Sequence, residues 1–120
     1  SSKFEDVMGQ GPCVGLYSFH GRGTLNGTLP HEPLFRLAKR TAKETNSPLQ
    51  RFAALGILTD ASYIQLEGEG VACLDMGFPA RYTHTPVEVC DVGDIDALAA
   101  LCAGMMRRID ENFPVGRFNV

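Results

Sequence analysis

The residue types best able to do chemistry are gathered in one short stretch, ARYTHTPVEV, from Ala80 to Val89. It holds Arg81, Tyr82, His84 and Glu88, directly after the apolar run VACLDMGF and before a long helical pattern. His84 is the sharpest of these, because a neutral imidazole is a common metal ligand and a general base near neutral pH. The plain alternative is a surface histidine that hydrogen-bonds only its neighbours. Glu88 can accept from a ligating imidazole or stay solvated. Arg81 can grip a substrate carboxylate or carbonyl in bidentate fashion, or pin the loop through a salt bridge. Tyr82 suits a half-buried anchor better than a catalyst. A second loop, ALGILTDAS, brings Thr59 and Asp60. An acid there favours the positive end of a helix and could also orient a histidine. Cys90 lies close to His84 in the chain and is the one thiol kept as a reactive candidate.

These groups make half a site at best. Catalytic zinc takes three protein ligands plus water, and a two-metal hydrolase needs more, with a bridging carboxylate. The chain offers one well-placed histidine and no second cluster. His20 and His31 lie in a long Gly- and Pro-rich loop and belong to no H-E-x-x-H or H-x-x-E-H spacing. GRGTLNG matches neither a dinucleotide fingerprint nor a phosphate-binding loop, and no G-x-S-x-G elbow is present. Asp75, inside an apolar run, can face either a site or water.

The elements that must position these residues follow from periodicity. CVGLYSF is a short apolar run bounded by turn signals and reads as a strand over 12–18. Leu34, Leu37, Ala38, Thr41 and Ala42 recur at helical spacing behind Pro33, and Asn46, Ser47 and Pro48 end that helix. A second strand is expected over 49–55. A short helix should follow with Thr59 as N-cap, stopped by Gly68 and Gly70. A third strand should cover 71–77. The last helix, 94–112, should be capped by Asp94 and present Ile95, Leu98, Cys102, Met105 and Ile109 to the sheet. Strand-helix alternation implies an α/β fold with a mostly parallel or mixed sheet covered by helices. Residues 1–10 read as a ragged start, and no boundary divides 1–120, so one unit is expected. If strands two and three are neighbours, their loops lie side by side and Thr59, Asp60, Arg81, Tyr82, His84 and Glu88 converge. Three strands make a narrow sheet with exposed edges, which favours self-association.

Composition bounds the partners. An apolar share of 44%, a charged share of 21% and a net charge of −3 suit a globular domain and argue against nucleic acid or an anionic membrane. No run reaches the ~20 apolar residues a membrane-spanning helix needs, and SSKFEDVMGQ has no signal-peptide core. Cys13, Cys73, Cys90 and Cys102 have no C-x-x-C spacing, so free thiols in a reducing, cytoplasmic compartment are expected.

The stretch from Gly56 to Leu101 resembles the C-terminal segment of the dinuclear-metal aminopeptidases, which include the tetrahedral and glutamyl aminopeptidases and relatives once described as endoglucanases. The pattern is Thr-Asp-Ala at Thr59–Ala61, then Pro79, Arg81, Tyr82, His84 and Thr85 in a Pro-x-Arg-Tyr-x-His-Ser/Thr series. MGQGPCVGLYSFHGRGTLNG and PLFRLAKRTAKETNSPLQ resemble the strand, loop and helix that precede it, so the likeness runs over roughly 8–112. The resemblance implies a zinc-exopeptidase-like catalytic domain with two divalent metals, zinc or cobalt, and an inserted oligomerisation domain. It implies that His84 is a metal ligand, that Thr59 and Asp60 border the cleft, and that Arg81 and Glu88 share the loop. The family's His-x-Asp ligands, its paired glutamates and its later aspartate are absent from the sequence, and GIL stands where relatives carry glycines. The resemblance therefore implies the last part of a peptide-hydrolysing enzyme, inactive alone and holding no metal tightly, that self-associates or joins the missing N-terminal part. The alternative is a binding or assembly module that kept the fold and lost the metal site.

Overall fold

The computed structural model describes residues 6–19, 27–55 and 59–116, without the Leu55 side chain. Cys13–Phe19 forms β1 and Gly27–Thr28 a two-residue β2. Glu32–Glu44 is α1, Gln50–Leu55 β3 and Ala61–Ile64 α2. Met76–Gly77 is β4, Ala80–Arg81 β5, Val89–Cys90 β6 and Val92–Arg108 α3. The class is the expected one, α/β with a mixed sheet.

β1 is the centre of the sheet. It pairs in parallel with β3 from Cys13↔Gln50 to Phe19↔Leu55. Cys13 and Val14 also pair antiparallel with Gly77 and Met76, while Ser18 and Phe19 pair with Thr28 and Gly27. A strand has two edges, so β2 and β4 must share the edge opposite β3. The expected neighbours, strands two and three, are therefore separated by β1. They also run in opposite directions, so their carboxyl ends leave the sheet at opposite ends and their loops are not side by side.

The third strand is much shorter than the expected 71–77. Only Met76 and Gly77 have ladder partners, although the Gly15 amide also donates to the Asp75 carbonyl at 2.8 Å and the His31 amide to the Cys73 carbonyl at 2.9 Å. Among the described residues this segment is flanked by backbone on one side only. The edge of β1 available to it is short, because Ser18 and Phe19 on that same edge are taken by β2.

Helix α1 follows its spacing. Pro33 occupies the first turn, Leu37, Ala38, Thr41 and Ala42 are buried, and Asn46 takes φ 53° where the helix must turn away. Leu37, Ala38, Ala42, Leu101 and Met105 form the core cluster, with Leu49, Leu74, Met76 and Phe113 against it.

Helix α3 differs from expectation in its cap, length and face. Asp91 is the N-cap, accepting from the Gly93 amide at 2.7 Å, and the helix ends at Arg108 rather than 112. Its buried residues are Asp94, Leu101, Gly104 and Met105, so Met105 lies inward as expected while Ile95 and Ile109 are exposed. The face is chosen by close packing. A Cβ on Gly104 would lie 2.9 Å from Thr41 Cγ2, and Arg108 reaches Glu44 at 3.1 Å, so α1 seats on that side. Asp94 does not cap. Its buried carboxylate accepts from the Gly9 amide at 2.7 Å and the Gly11 amide at 2.8 Å. Residues 6–11 are thereby tied down, and the ragged start does not extend that far. Gly9 and Gly11 have φ of 89° and 95°, which L side chains rarely adopt.

In α2, Asp60 is the N-cap in place of Thr59, neither side chain caps, and the helix has four residues.

Candidate functional site

The residues 79–91 fold into a small hairpin. β5 and β6 pair antiparallel through Ala80↔Cys90 and Arg81↔Val89. Between them the chain is tied to itself. The Thr85 hydroxyl lies within reach of the Tyr82 and Val87 carbonyls, and the His84 amide donates to Glu88 Oε1 at 2.6 Å. Glu88 is thus committed to the backbone of His84. Every residue from 81 to 90 is exposed, including the His84 imidazole and the Cys90 thiol. Tyr82 is 63% exposed, so it does not anchor the loop by burial.

Two residues of this hairpin carry positive φ, Tyr82 at 60° and His84 at 61°. The left-handed region costs a non-glycine residue on the order of 1–2 kcal/mol. Such strain concentrates where a side chain must be aimed. The turn holds His84 in a conformation that the sequence has no glycine to relieve.

Thr59 lies elsewhere, in a cleft of about 360 Å³ on the sheet lined by Cys13, Ser18, Phe52, Thr59, Asp75 and Met76. The Thr59 hydroxyl donates to Asp75 Oδ1 at 3.3 Å and therefore accepts from Thr28 Oγ1 at 3.4 Å. Ser18 Oγ donates to Asp75 Oδ2 at 3.4 Å. Asp75, undecided from sequence, is thus the hub of a hydroxyl cluster facing the cleft. Ser18 and Thr28 carry no motif; only an acid inside an apolar strand run signalled the cluster. Asp60 is exposed, and its carbonyl accepts from Tyr63 and Ile64. Arg81 borders a second hollow of about 220 Å³ with Asp6, Met8 and Pro79. Asp6 borders both hollows. Of the six candidates, the hairpin brings Arg81, Tyr82, His84 and Glu88 together; Thr59 and Asp60 stand at the other loop.

The remaining histidines separate cleanly. His31 is buried, with Nε2 3.2 Å from the Gly116 carbonyl, and it ties the C-terminal segment to the start of α1. His20 and the GIL segment lie outside the described residues. Cys13 is buried, and its thiol is pushed up to about 12 by burial and by Asp6, whose carboxylate accepts from it at 3.5 Å. It is a packing residue. All four cysteines are free.

Among the described residues, no three His, Cys, Asp or Glu side chains gather closely enough to hold a metal ion. The described residues therefore do not fit a metal pair: the hairpin offers one exposed imidazole, and Glu88 already accepts from the His84 amide. No described helix is long and apolar enough to cross a membrane.

Comparison with known proteins matches this arrangement to one family. The model of the M42 glutamyl aminopeptidases covers residues 1–101. SgcX of Escherichia coli (strain K12), provisionally named an aminopeptidase, is 37% identical over 108 residues, spanning 90% of this chain and 29% of SgcX. The lysyl aminopeptidase of Pyrococcus furiosus is 32% identical over 108 residues, 89% of this chain and 28% of that protein. Aminopeptidase APDkam598 of Desulfurococcus kamchatkensis superimposes with a TM-score of 0.75 at 28% identity, over 85% of this chain and 27% of its own. The chain thus spans between a quarter and a third of the relatives it matches. With the family model covering most of its length, this chain belongs to the M42 glutamyl aminopeptidase family.

Proposed function

We propose that the chain supplies the C-terminal portion of a two-metal aminopeptidase catalytic domain, cytoplasmic and working on the N-terminal residue of peptides. The observation that carries this reading is the coincidence of the family match with a strained, exposed hairpin that presents one imidazole and nothing else of a metal site. His84 is the donor this chain contributes, to zinc or cobalt held mainly by residues elsewhere. The Glu88 carboxylate, 2.6 Å from the His84 amide, holds the turn that aims the ring. Arg81 and Tyr82 flank the ring as substrate contacts, and Thr59 stands at the cleft wall with Asp75. The general base lies outside this chain, so the chain alone does not turn over substrate. Its partner is the rest of the catalytic domain, and the open edge of β3 favours self-association without it.

Complementation tests this reading. The part of SgcX that this chain does not match is produced as a separate polypeptide and mixed with it. The mixture should bind divalent metal and hydrolyse aminoacyl p-nitroanilides. With His84→Ala the mixture should lose about one metal equivalent and most of its rate, as expected when one of a few fixed donors is removed. Chelator-sensitive turnover by the isolated chain would overturn the proposal, as would full metal content with His84→Ala.

A further inference from the structure

Helix α3 has three distinct sides. Gly104 and Arg108 face α1, through Thr41 and Glu44. Asp94 and Met105 are buried toward the sheet side. Val92, Ile95, Ala99, Cys102 and Met106 form a third side at 3-4-3-4 spacing, continued by Ile109 at the C-cap. At 100° per residue this stripe lies about 180° from the α1 side and about 100° from the sheet side. Val92 and Met106 are 68% and 67% exposed, Ile95 and Ile109 are also exposed, and Cys102 is half-buried. An apolar side at this spacing is the pattern of a helix packed lengthwise on another helix.

The sheet under this flank is also open. The segment before β4 has its partner, β1, on one edge only among the described residues, while Leu74 and Met76 lie against the α1–α3 core. The helix layer therefore reads α1, α3, then an open place, above a sheet that stops at the same point. From this we infer that the stripe is the seat of a third, amphipathic helix, lying alongside α3 and supplied by the polypeptide that completes the aminopeptidase domain. The inference rests on the functional reading above. The occupant is set by the span of the match: this chain covers 29% of SgcX, and a layer of helices over one sheet is completed by more of the same layer. A second copy of the chain would cover the stripe but leave the open sheet edge beneath it without a neighbour.

The test measures binding as well as activity. The unmatched part of SgcX is titrated into the chain by calorimetry. Ile95→Glu/Met106→Glu should weaken binding by about tenfold or more, because charge replaces two apolar side chains at the contact. The unfolding midpoint of the isolated double variant should stay at that of the parent, since both side chains are exposed. Ala100→Glu, on the solvent side of α3, should bind within twofold of the parent. A photo-crosslinker at Met106→Cys, with Cys90→Ser to remove the exposed native thiol, should mark partner residues three and four apart. If the parent binds and is complemented while the double variant binds equally well, the functional reading stands and this inference falls. Crosslinks at every second partner residue would replace the helix by a strand and overturn it. A stripe-dependent homodimer that persists at saturating partner would do so too. If the parent does not bind at all, both fall.

Discussion

Two regions of this molecule are built on opposite terms. The α1–α3 face buries Leu37, Ala38, Thr41, Ala42, Leu101 and Met105. The 79–91 hairpin carries the Pro79–Arg81–Tyr82–His84 motif, yet it is exposed from 81 to 90 and holds its shape through strained backbone and its own hydrogen bonds. The packed face is held by contacts within the chain.

That contrast breaks most sharply on stability. Leu37→Ala should cost about 3–4 kcal/mol in urea unfolding, since the side chain is 1% exposed at the centre of the core. A loss below 1 kcal/mol would mean that the face is not the stabilising half. Asp94→Ala should come next, at about 2–4 kcal/mol, because two buried charge-assisted bonds vanish and the Gly9 and Gly11 amides are left without them. Protection of those two amides in hydrogen exchange should fall together. His31→Ala should also destabilise measurably. The reason is its burial and its contact with the Gly116 carbonyl.

On the other side of the comparison, His84→Ala should move the stability of the isolated chain by no more than about 0.5 kcal/mol. His84→Gly should equal the parent or exceed it by up to about 1 kcal/mol, because glycine relieves the positive φ of 61°. A large loss from either would make the hairpin a structural element. The last contrast is in thiol chemistry. Exposed Cys90 should be alkylated first and Cys13 last. The Cys13 thiol is raised from 9.0 to about 12, so the folded chain keeps a proton that the unfolded chain gives up. Its contribution to stability is thus whole below pH 9 and falls away between pH 9 and 12. Flat stability across that window would show Cys13 to be more accessible than its burial implies.

Much of the fold was legible where local and long-range demands agree. β1 and β3 lie within a residue of their expected spans, because CVGLYSF and QRFAAL are apolar runs closed by turn signals. Helix α1 has the expected face and ends where Asn46 must turn. The face of α3 was misread because apolar residues ring most of it, so periodicity selects no unique side. Gly104 against Thr41 makes that choice, and a glycine has no weight in a hydrophobic pattern. VACLDMGF has strand composition over 71–77, but the β1 edge it pairs with is shared with β2, which leaves only Cys13 and Val14 as its ladder partners. At the site, the hairpin group was visible as a motif. The Asp75 cluster was not, because Ser18, Thr28 and Thr59 come from three separate segments.

By itself, then, the sequence determined the family, the class of fold and the identity of His84 as the residue to test, because these depend on residue type and spacing along the chain. Tertiary structure alone decided that β1 stands between β3 and β4, so that the Thr59 and His84 loops part company. It also decided that Asp94 binds the chain start instead of capping a helix, and that α3 turns Val92, Ile95 and Met106 outward. The physical reason is the same in each case. Strand order and helix rotation are set by which surfaces meet across long sequence distances, and a local pattern holds no term for the partner it will meet.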